Sequence, residues 1–112
     1  MINSVNGMPV SEELLQNYFQ SLVNRFFKIL PIRESEEETL TVYMKSLQCE
    51  VLGCRKLISD MDNDSRFFTL AAILEYLIDT PDCPIKDVKR EVFKAIHICN
   101  QLKDKYREVV GV

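Results

Sequence analysis

The chain has 112 residues, 46% hydrophobic and 28% charged, which suits one globular domain and is too apolar for a disordered chain. Fourteen basic and seventeen acidic residues give a net charge of −3, which selects neither nucleic acid nor an anionic membrane as a bulk partner. The single histidine, His97, excludes any zinc site built from two or three imidazoles of one chain.

Met1 to Pro9 carry no basic cluster, apolar core or small-residue cleavage site. No secretory signal is expected there, and residues 1–10 read as a flexible N-terminal segment ahead of one helical domain over 11–110. Ser11 can cap the first helix, Glu12 and Glu13 suit the positive end of its dipole, and Val10 and Leu15 are spaced as a hydrophobic staple. Leu15, Phe19, Leu22, Phe26 and Leu30 recur at helical spacing, and Leu14, Tyr18, Val23 and Phe27 widen that stripe. A face so broad is buried on more than one side. Pro31 is expected to stop the helix near Leu30, giving a span of 11–30.

Ser35-Glu36-Glu37-Glu38 matches a capping box and predicts a second helix over 35–59. Its stripe is Leu40, Tyr43, Met44, Leu47, Val51, Cys54 and Ile58, with Gly53 as either a point of close approach or a weak point. Asp60 to Ser65 break the pattern and cap a third helix over 65–79. Between Phe67 and Ile78 only Thr69 and Glu75 are not apolar, which belongs at the centre of a structure or at a subunit contact. That stretch is about half the ~20 residues a bilayer requires, so no membrane partner is expected. Thr80 to Pro84 form a rigid connection, and Pro84 suits the first turn of a last helix over 84–108. Ile85, Val88, Val92, Ile96, Cys99, Leu102 and Tyr106 form its stripe, and Gly111 lies just past its end. No period-2 alternation of useful length occurs, so no strand is expected. The fold class is all-α, a compact up-down four-helix bundle.

Asp60-x-Asp62-x-Asp64 has the spacing of the first three oxygen ligands of a calcium loop, but Ser65 and Ala71 stand where the turn glycine and the bidentate glutamate are needed. A polar turn with a helix cap explains the aspartates better. Cys49 and Cys54 diverge by about 140° on a helix and cannot share a metal. Cys99 falls on the core stripe. Cys83 precedes a helix N-terminus, where the dipole favours a thiolate, which makes it the candidate reactive thiol. His97 is too far along the same helix to act as its base, and no glycine-rich phosphate loop exists. The glutamates around 34–38 crowd a helix start, where negative charge stabilises without chemistry. Neither an enzyme, a cofactor nor a metal is expected. Four cysteines without an export signal point to reduced thiols in the cytoplasm.

Charge is more informative. Segment 34–64 holds eight acids and three bases, whereas 85–108 holds seven bases and four acids. Lys86, Arg90 and Lys94 share one face of the last helix as a candidate partner-binding surface. The plainer explanation is that this face lies along the acidic second helix or stays solvated. A helix-turn-helix-like pair, 67–78 and 85–108, would instead make a small DNA-binding regulator. Two prolines in the turn, a long recognition helix and an acidic chain oppose that alternative. The favoured expectation is a non-enzymatic protein–protein interaction module that forms a homodimer or takes another protein partner. Five phenylalanines (Phe19, Phe26, Phe27, Phe67 and Phe68) exceed what one small core can cover, which makes Phe27, Phe67 and Phe68 the candidate apolar interface.

Overall fold

A computed structural model of the chain describes residues 2–3, 9–10, 12–35, 39–57 and 64–110. Helices α1 (Glu12–Phe27), α2 (Ile29–Glu34), α3 (Leu40–Leu57), α4 (Ser65–Asp79) and α5 (Ile85–Val110) follow a two-residue antiparallel pair, β1 (Ile2–Asn3) and β2 (Pro9–Val10). The four long helices form an all-α four-helix bundle, and α2 is a short extra piece between α1 and α3. β1 touches α5, so the segment expected to be flexible includes a pairing too brief to leave a period-2 signal.

Two helix boundaries differ from expectation, both because of Pro31. A proline ring clashes with the carbonyl four residues upstream, and here that residue is Phe27. The first helix therefore ends at Phe27 rather than Leu30. Lys28 is a turn, and a new helix starts at Ile29, which places Pro31 in a first turn whose amides need no partner. Ser35 then closes α2 instead of opening the next helix: its N–H bonds Pro31 O at 3.1 Å and its hydroxyl donates to Ile32 O. The second long helix starts at Leu40, not at 35. The capping-box residues Glu36 to Glu38, the Ser11 cap with its Val10 staple, Asp60, Asp62, Ile58, Tyr106 and Gly111 lie outside the described residues or side chains.

The starts of the last two helices agree with the sequence. Asp64 caps α4, its carboxylate accepting from Arg66 N at 3.0 Å. Pro84 immediately precedes α5 and its carbonyl accepts from Val88 N at 3.1 Å. α5 has 26 residues, about 39 Å of helix at 1.5 Å per residue, and sets the 44 Å long axis of the molecule.

α1 and α5 pack closely, as do α3 and α4, and α4 also meets α5. The pairings are antiparallel: Gln16 donates to Lys103 O near one end of α1 while Phe27 meets Phe93 at the other. Arg25 and Tyr43 tie α1 to α3, through the Arg25–Glu50 ion pair and a Tyr43 hydroxyl that donates to Arg25 O at 2.8 Å. Gln48 on α3 donates to Ala71 O and to Glu75 on α4. The centre is filled by fully buried Phe19, Leu22, Phe26, Leu47, Phe67, Leu70, Leu74 and Leu102. The rings of Phe19 and Phe67 lie 6.4 Å apart, so α1 and α4 meet across the diagonal of the bundle. No helix among the described residues is long and apolar enough to cross a membrane.

Candidate functional site

The phenylalanines separate into two groups. Phe19, Phe26 and Phe67 are fully buried, whereas Phe27 and Phe68 are about half exposed. Phe67 therefore leaves the candidate interface and belongs to the core, because its ring faces Phe19. Its neighbour Phe68 projects about 100° away around α4. The pair also sits level with Phe19, eight residues or about 12 Å along α1 from Phe27. Phe27 and Phe68 are thus not halves of one small patch.

Phe27 has a different companion. Its ring meets that of Phe93 on α5 edge to face, with centroids 5.8 Å apart and planes at 81°. Such a pair contributes about 0.5–1.5 kcal/mol beyond area burial, yet here 44% of Phe27 and 51% of Phe93 remain exposed. Phe93 escaped the sequence reading because it falls just off the stripe of Val88, Val92 and Ile96. The signal was available: it is an aromatic residue on an otherwise charged arc of a helix.

That arc is the basic face. At 100° per residue Phe93 projects about 20° from Lys86 and about 60° from Arg90, with Lys94 on its flank. Lys86, Arg90 and Lys94 are all exposed. Arg90 bonds Asp87 of its own helix at 3.3 Å, and among the described residues Lys86, Lys89 and Lys94 make no ion pair. The basic face does not lie along the second long helix, since α3 packs on α4 and α1; it is solvated. Of the described acids in segment 34–64, Glu50 is engaged by Arg25, and Asp64 is buried at the α4 cap, where Lys105 Nζ reaches it at 2.9 Å.

The cysteines are dispersed. Cys49 is exposed, Cys83 half-buried and Cys99 buried, all with free thiols, and the Cys54 side chain lies outside the described residues. Burial pushes the Cys99 thiol up to about 12. Cys83 sits in the turn before α5, and its carbonyl accepts from Arg33 at 3.1 Å. His97 is exposed and paired with Gln101, fourteen residues and about 20 Å further along the chain. Among the described residues no cluster of three histidine, cysteine or acidic side chains could hold a metal. Gly53 is exposed, and among the described residues nothing lies within 4 Å of a Cβ built on it and no helix approaches there.

No family model matches the chain, and no curated protein or solved structure matches it significantly.

Proposed function

We propose that the protein is a non-enzymatic interaction module that self-associates through the Phe27–Phe93 face, and that it works in the reducing environment of the cytoplasm. The carrying observation is the half-exposed aromatic pair joining α1 and α5. A buried aromatic ring covers about 150–250 Å², so the two half-exposed rings leave on the order of 200 Å² of apolar surface per copy. At about 25 cal/mol per Å², covering it in both copies contributes on the order of 10 kcal/mol. Association itself costs about 4–15 kcal/mol; at the low end of that cost about 6 kcal/mol remains, which makes a weak dimer with a Kd of tens of micromolar. A two-fold arrangement puts the same patch on both copies and stacks four rings at its centre. Free thiols at Cys49, Cys83 and Cys99 support the cytoplasmic assignment.

Exposed Lys86, Lys89 and Lys94 of α5, which make no ion pair among the described residues, favour one second reading, a DNA regulator that uses this helix. Salt separates the two. In the dimer, basic residues of both copies flank the aromatic centre, so screening strengthens association. Binding to DNA releases counterions and weakens steeply as salt rises. Sedimentation equilibrium at 10–100 µM should show a dimer whose constant improves several-fold between about 50 and 500 mM salt, at a Debye length falling below ~10 Å. A monomer throughout, together with salt-sensitive duplex binding lost in Lys86→Glu/Arg90→Glu, would replace this reading with the regulator.

A further inference from the structure

At the end of the bundle where α2, α3, the α4–α5 turn and the start of α5 converge lies an open cleft of about 360 Å³. It is distinct from the Phe27–Phe93 face, since neither ring lines it. Its floor is apolar and belongs to the core: Ile29, Met44, Leu77 and Val88 are all buried yet border the space. Arg33 borders it too. One guanidinium nitrogen donates to Cys83 O at 3.1 Å, which tethers the group beside the cleft, while Arg33 makes no ion pair among the described residues. A guanidinium carries five N–H donors, so most remain to be used. Thr41 lines the same space, and its hydroxyl makes no hydrogen bond among the described residues.

We infer that this cleft binds a small monocarboxylate with an apolar body, its carboxylate on Arg33 and Thr41 and its body on the core floor. Ligand pockets occupy about 300–1,000 Å³ and are largely apolar with a few convergent polar groups, as here. At the ~30 Å³ that a water occupies in the liquid, the space takes on the order of ten non-hydrogen atoms. Planar guanidinium suits the two oxygens of a carboxylate, which it can hold in a bidentate pair. Arg33 and exposed Asp82 are the charged residues that line the cleft, so it offers one positive charge, enough for one carboxylate. The site is a consequence of Pro31: the break at Lys28 starts the short helix that carries Ile29 and Arg33 to the cleft.

Cys83 lines the cleft and reports its occupancy, with exposed Cys49 as an internal reference. Octanoate is the probe and octanol its uncharged counterpart. Octanoate should slow iodoacetamide labelling of Cys83 at least fivefold and leave Cys49 unchanged, and octanol should need at least tenfold more ligand for the same protection. Arg33→Met should erase the difference between the two probes, and Arg33→Lys should keep part of it. Protection should persist in Phe93→Gln, which separates this site from the self-association face. Equal protection by octanol, unchanged protection in Arg33→Met, or none by millimolar octanoate would overturn the inference.

Discussion

Cys99 and Asp64 show how far single side chains support the fold. The Cys99 thiol is held near 12 by burial against an ordinary value of 9.0, so the folded chain keeps a proton that the unfolded chain loses above pH 9. Its contribution to stability is complete below pH 9 and declines as pH rises toward 12, by up to about 1.4 kcal/mol per pH unit. Urea denaturation should therefore show wild type losing about 1 kcal/mol more than Cys99→Ala between pH 8 and pH 10; parallel losses would mean Cys99 is not buried. Iodoacetamide at neutral pH should modify Cys49 and Cys83 while Cys99 stays intact. Asp64 caps α4 and joins it to Lys105 of α5. Asp64→Ala should cost about 1–2 kcal/mol, whereas Asp64→Asn retains the cap and should cost less than half of that. Equal losses would assign the effect to the charge pair instead. Cys99 and the Asp64 cap were both legible in the sequence, because helical spacing and cap chemistry are local. The choice between Phe67 and Phe68 was not, since a helix apolar on nearly every side has no polar face to orient it.

At the scale of elements, the spans 65–79 and 84–108 nearly coincide with α4 and α5 because Asp64 and Pro84 are strong local boundaries. In the region 28–40 two local signals compete. Pro31 reads as a stop for the helix before it, but it also suits the first turn of a new helix. Once α2 forms, Ser35 is committed to ending it. Gly53 offers a clean test of α3, as it lies inside the helix, exposed, with open space where a Cβ would stand. Gly53→Ala should stabilise the protein by about 0.5–1 kcal/mol through helix propensity and reduced freedom of the unfolded chain. A loss of stability would mean that something packs against this position after all.

The whole molecule is organised by two closely packed antiparallel pairs, α1 with α5 and α3 with α4. Surface and volume alone lead one to expect that five phenylalanines exceed one small core, and Phe27 and Phe68 are left about half exposed. The sequence could not show which rings stay outside, because Phe27 and Phe93 are 66 positions apart and meet only when α1 and α5 pair. Self-association through that face is the central claim, and the Phe68 position supplies its control. Sedimentation equilibrium of wild type, Phe93→Gln and Phe68→Gln at tens of micromolar, with circular dichroism to confirm an intact bundle, tests it most directly. Dimeric wild type, monomeric Phe93→Gln and dimeric Phe68→Gln are the predicted result; a wild-type monomer, or a dimer that Phe93→Gln leaves undisturbed, would contradict it.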